Sequence, residues 1–168
     1  RSRGLGDVYK RQPLMYGSNI CILLLLRQHQ RTPTLKGPSP RMPTVSDRLN
    51  RAQQNHNAVI TIIPFDEHAV DLSPTLKGLP VAFKDIVDMA YVPTTCGSKV
   101  KAVCTPVKDA PVVQRLTAQG ALPVAKANLQ EFSYGILGDA SAYGRVINPR
   151  DPEVCGGGSS SGSAALVA

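Results

Sequence analysis

The sequence predicts an α/β fold, on three observations. Val59-Ile60-Thr61-Ile62-Ile63 is β-branched throughout and stops at Pro64, as a strand does. Residues 109–120 open on Asp109-Ala110-Pro111 and close at Gly120, the pattern of a helix with proline in its first turn and glycine past its end. Ala121-Leu122-Pro123-Val124-Ala125 follows at once, and a helix that ends in glycine and feeds a short buried strand is half of an α/β unit. The 168 residues, 42% of them apolar, suffice for one domain with a sizeable core.

Taken in order, the chain begins with a segment unlike the rest. Residues 1–51 hold ten Lys/Arg and two Asp/Glu, a net of +8, whereas residues 52–168 hold nine and ten, a net of −1. The basic excess therefore belongs to the start, and no basic stripe interleaved with aromatics continues beyond it, which sets nucleic-acid binding aside for this segment. The apolar run Ile20 to Leu26 is seven residues long, against about 20 for a membrane span. No small-residue cleavage site follows it, so no export signal is read. Residues 1–41 are expected to be a non-native or disordered basic segment, with the folded part running over residues 42–168.

Ser46 or Asp47 is expected to cap a helix through Arg48, Leu49, Ala52 and Gln53. Leu79 to Val87 is a second strand candidate, interrupted by Lys84 and Asp85, with Asp85 directed away from Lys84. The helix after Pro111 presents Val112, Val113 and Leu116 on one face. Residues 129–137 read as helical or irregular and residues 138–158, with two prolines and five glycines, as loop.

Four cysteines (Cys21, Cys96, Cys104, Cys155) form no CxxC pair, and the three histidines are scattered, so no metal site and no cofactor is assigned. Reduced thiols and a cytoplasmic setting are the expectation.

Two residues are candidates for chemistry. Ser159 sits in the run Cys155-Gly156-Gly157-Gly158-Ser159-Ser160-Ser161-Gly162-Ser163, which leads into Ala-Ala-Leu-Val-Ala. Glycines let a substrate approach the backbone, and the free amides of a helix start favour negative charge. A Gly/Ser linker has a similar composition, but the apolar helix start after it and the stiff Asn148-Pro149-Arg150-Asp151-Pro152 turn before it argue otherwise. No Gly-Lys-Ser/Thr follows in Walker A spacing. Lys84 ends the apolar run Leu79-Pro80-Val81-Ala82-Phe83. A lysine acting as a base near pH 7 must have its pKa brought down by about 3 from an ordinary value near 10.4, which burial can supply.

Six pieces in order, from about Asn57 to Ala168, resemble the amidase signature family. Gly78-Leu79-Pro80-Val81-Ala82-Phe83-Lys84-Asp85 is similar to its lysine strand and Thr94-Thr95-Cys96-Gly97-Ser98 to its Thr-Thr-Ala-Gly-Ser turn. Val113 to Asn128, then Glu131-Phe132, then Gly144 with Asn148-Pro149, follow the family's order. Gly157-Gly158-Ser159-Ser160-Ser161-Gly162-Ser163-Ala164-Ala165 resembles the serine-rich signature itself. The chain departs from the pattern at Gly156, where proline is frequent, at Ala125 and Ala127 on either side of Lys126, and at Ser161; Lys126 is given a structural role.

The resemblance implies the N-terminal part of a mixed sheet covered by helices, incomplete as it stands, and a Ser–cis-Ser–Lys triad. Lys84 takes the place of the base and Ser159 that of the bridging serine after a cis peptide bond. The nucleophilic serine is expected about two dozen residues further on, so residues 1–168 alone are expected to be inactive and poorly soluble. The implied activity is hydrolysis of a carboxamide C–N bond in a small-molecule amide, through an acyl-enzyme. Alternatives are a glutaminase-type subunit of a tRNA-dependent amidotransferase, a non-catalytic ligand-binding member of the same fold, and a basic-tailed binding module. A homodimer or amidotransferase subunits are the partners expected, with no membrane span and no substrate-binding residue assigned.

Overall fold

The computed structural model describes residues 22–24, 43–71 and 76–168. Apart from residues 22–24, the basic segment expected over residues 1–41 lies outside them. A mixed four-stranded sheet forms the centre, in the order β1-β3-β4-β2. Strand β1 (Ile22–Leu24) runs antiparallel to β3 (Pro80–Lys84). Strands β3 and β4 (Leu122–Ala127) are parallel, joined through helix α2 (Pro111–Ala118), which makes the expected α/β unit. Strand β2 (Val59–Ile62) closes the order antiparallel to β4.

Helix α1 (Val45–His56) starts before the cap expected for it. Thr44 is the N-cap: its hydroxyl accepts from the Asp47 amide while the Asp47 carboxylate accepts from the Thr44 amide, a reciprocal capping box. Asp47 thus serves as the third residue of the helix, not as its cap. Val45, Leu49 and Ala52 recur along one face and are buried. The helix stops at Asn57 in the left-handed conformation (φ 52°).

Helix α2 begins with Pro111 as expected, but Ala110 occupies the cap and makes no side-chain bond there. Asp109 instead accepts from the Ala90 amide at 2.7 Å, tying the helix start to the chain leaving β3. Strand β4 is also longer than expected, because Lys126 and Ala127 continue it.

The sheet separates two apolar clusters. Leu49, Ala52, Val59, Ala82, Val124 and Ala165 pack on the side of α1 and of α3 (Ser161–Val167). Val81, Phe83, Val87, Met89 and Val113 pack on the side of α2. The alternation of Val81, Ala82 and Phe83 between clusters is the period of two that a strand imposes. Residues 129–158 are irregular, with a 3-10 turn at Glu131–Ser133 and an isolated bridge between Ile147 and Cys155. No helix among the described residues is long and apolar enough to cross a membrane.

Candidate active site

Lys84 is the last residue of β3 and only 1% exposed. Its ammonium nitrogen lies 2.7 Å from Ser159 Oγ across 75 residues of sequence. The strand alternation places Lys84 on the side of Ala82, toward α3, and Ser159 stands two residues before that helix begins. The two candidates named from the sequence are therefore in direct contact.

The Gly158–Ser159 peptide is cis, and Gly157 has φ +74°. The Ser159 carbonyl accepts from the Gln130 amide at 3.0 Å, and the Gly158 amide donates to the Ile136 carbonyl at 2.7 Å. Helix α3 is drawn onto the sheet by the Gly162 amide, which donates to the Asn128 carbonyl at 2.9 Å. A Cβ at position 162 would fall 2.4 Å from the carbonyl oxygens of Ala58 and Asn128, so the approach requires glycine. Ser161 and Ser163 are buried, which no solvated linker would produce.

Asp85, the next residue, is also fully buried. Its carboxylate pairs with Lys126 at 2.8 Å, both side chains being fully buried. It also accepts from the amide of Thr95 at 3.0 Å and from the Thr95 hydroxyl. Lys126 donates further to the Pro93 carbonyl and to Thr94 Oγ1, each at 3.1 Å. The structural role given to Lys126 is accordingly to lock the turn at residues 93–98 against the ends of β3 and β4. Single-sequence reasoning does not find Asp85 as its partner, nor Asn128 and Gln130. A polar residue just past an apolar strand ordinarily reads as solvated.

Burial pushes the Cys96 thiol up, against the pull of the nearby Lys101 ammonium. Among the described residues Cys96, Cys104 and Cys155 are unpaired thiols. No group of three or more His, Cys, Asp or Glu that could hold a metal comes together among them.

The arrangement offers a buried amine in hydrogen-bond contact with a hydroxyl, a pair able to pass a proton. The family model described as Amidase matches residues 43–168. The A subunit of the glutamyl-tRNA(Gln) amidotransferase of Koribacter versatilis is 50% identical over 95 residues, covering 56% of this chain and 20% of that protein. Its counterpart in Archaeoglobus fulgidus is 38% identical over 132 residues, covering 74% of this chain and 29% of that protein. The solved structure of the Thermotoga maritima counterpart superposes with a TM-score of 0.61 at 33% identity, over 73% of this chain and 26% of that one. An allophanate hydrolase structure from Kluyveromyces lactis gives 0.59 at 30% identity, over 77% of this chain and 24% of that one. The chain thus spans less than a third of the length of each of these relatives.

Proposed function

This chain belongs to the amidase family, and from that premise we propose that the protein containing it hydrolyses a carboxamide C–N bond of a small amide. Lys84 is the base of a serine–serine–lysine relay and Ser159 its bridging hydroxyl. The observation that supports the reading is the 2.7 Å contact between a buried lysine at a strand end and a serine ahead of a helix.

The chemistry runs as a proton relay. Neutral Lys84 takes the Ser159 proton, and Ser159 takes the proton of a second serine further along the protein. That serine attacks the carbonyl carbon, the C–N bond breaks, and the relay returns the proton to the leaving amine. Water then hydrolyses the acyl-serine. None of these steps calls for a cofactor, and a cytoplasmic setting suits the free thiols.

A second reading is favoured by the names of the relatives, which are A subunits of amidotransferases. Under it, the amide is a glutamine side chain, the ammonia passes to an acceptor bound by partner subunits, and turnover rises when those subunits are added. Ammonia release by the full-length protein, measured on small amides and on glutamine, tests both. Lys84→Ala and Ser159→Ala are each expected to lower turnover on the order of 10²-fold or more. Unchanged turnover in both variants would refute the relay. Undiminished amide binding without turnover by the wild type would favour the non-catalytic member.

A further inference from the structure

We propose that Gln130 is a positioning residue for Ser159, holding the peptide on which the bridging hydroxyl is mounted. The proposal rests on the relay reading and goes beyond it by naming what keeps that hydroxyl in place.

Gln130 is 7% exposed and lies three residues past the end of β4. It acts in two ways. Its main-chain amide donates to the Ser159 carbonyl at 3.0 Å. Its side-chain oxygen accepts from the Gly138 amide at 2.9 Å and more distantly from the Ala140 amide at 3.5 Å. The second action pins the turn that carries Ile136, whose carbonyl accepts from the Gly158 amide at 2.7 Å. One residue therefore holds the chain on either side of the Gly158–Ser159 peptide, directly after the serine and through the turn before the glycine.

The fit between the two segments leaves no room for a side chain at Gly135, Gly138 or Gly158. A Cβ at Gly158 would fall 2.9 Å from the Gly135 carbonyl oxygen and 3.0 Å from the Gly138 nitrogen. A Cβ at Gly138 would fall 2.4 Å from the Gly157 carbonyl oxygen and 2.6 Å from Ser161 Cβ. A Cβ at Gly135 would press on the Gln130 carboxamide at 2.9 Å. The turn at residues 135–138 is thus seated backbone to backbone on residues 157–158, and the Gln130 carboxamide fills the space beneath it. Without that acceptor the Gly138 amide is left buried and unpaired, which the turn relieves by lifting away from Gly158. A displacement near 1 Å at a reacting group can cost on the order of 10²-fold in rate.

The test uses the full-length protein, with Gln130→Leu removing the acceptor at similar volume and Gln130→Glu retaining an acceptor oxygen. Gln130→Leu is expected to lower kcat for amide hydrolysis on the order of tenfold to a hundredfold with KM nearly unchanged. It should also speed hydrogen exchange at the Gly138 and Gly158 amides, while Gln130→Glu restores both. Wild-type kcat and wild-type exchange in Gln130→Leu would overturn the proposal, as would equal losses in the Leu and Glu variants. If Gln130→Leu does not fold, Gln130→Asn, which withdraws the carboxamide by one methylene, carries the same expectation. Lys84→Ala run alongside separates the two ideas. Full activity in Lys84→Ala removes the relay, whereas the exchange rates still decide whether Gln130 holds the Ser159 peptide.

Discussion

Asp85 and Lys126 form a 2.8 Å ion pair that is sealed from solvent on both sides, beside the strand end that carries Lys84. Removing one partner leaves a buried charge without its counter-ion, at a cost of about 3–5 kcal/mol. Lys126→Met is therefore expected to lower the stability of the full-length protein by that amount in chemical denaturation. The double variant Asp85→Leu with Lys126→Met should recover part of the loss. A single variant as stable as the wild type would show that the pair does not lock the 93–98 turn.

Lys84→Arg distinguishes a base from a fixed cation. Arginine keeps the positive charge but is not deprotonated in proteins. Turnover is expected to fall as far as in Lys84→Ala, by about 10²-fold or more. Substantial activity in Lys84→Arg, read by ammonia release, would mean that Lys84 acts through its charge.

Gly162→Ala tests how closely α3 meets the sheet. The added methyl would lie 2.4 Å from two carbonyl oxygens and 2.6 Å from the Asn128 nitrogen. Overpacking of this kind costs about 1–3 kcal/mol, and the shift of α3 should carry Ser159 away from Lys84. A fall in both melting temperature and kcat is expected, and an unchanged melting temperature would show that the helix yields freely.

Glu67 gives the start of α1 a pH dependence. Burial alone would push its carboxyl up, but the Ser46 hydroxyl and the Val45 and Ser46 amides outweigh it and hold the group below its ordinary value of 4.5. A lowered folded-state pKa means stabilisation that is complete above the unfolded value and is lost as pH falls through the folded value. Glu67→Gln should thus lower stability at pH 7, and the gap from wild type should close as pH falls below the ordinary carboxyl value. A gap that stays constant in urea denaturation across that range would contradict the assignment.

Lys84 and Ser159 are each legible as candidates because each stands in a distinctive local pattern, a lysine closing an apolar strand and a serine in a glycine run before a helix, whereas their pairing is what the family resemblance implies. The strands at residues 59–62 and 80–84 and the helix from Pro111 are legible for the same reason, since β-branching, apolar runs and proline act locally. The start of α1 is less so, because Thr44, Ser46 and Asp47 all suit a cap and only the reciprocal bond between Thr44 and Asp47 decides among them. Asp109 misleads in the same way, its oxygen being claimed by Ala90 from a distant turn. Gln130 carries no local signal, since its partners Gly138 and Ser159 lie 8 and 29 residues ahead and are brought to it only by the fold.

Lys84 and Ser159 lie 75 positions apart in the chain. Closing a loop of that length costs roughly 4 kcal/mol of chain entropy beyond a constant. That cost falls once β3, α2 and β4 have already gathered the chain between the two residues. A chain still emerging from synthesis holds Lys84 before Ser159 has been made, so the two can meet only once synthesis has passed residue 159.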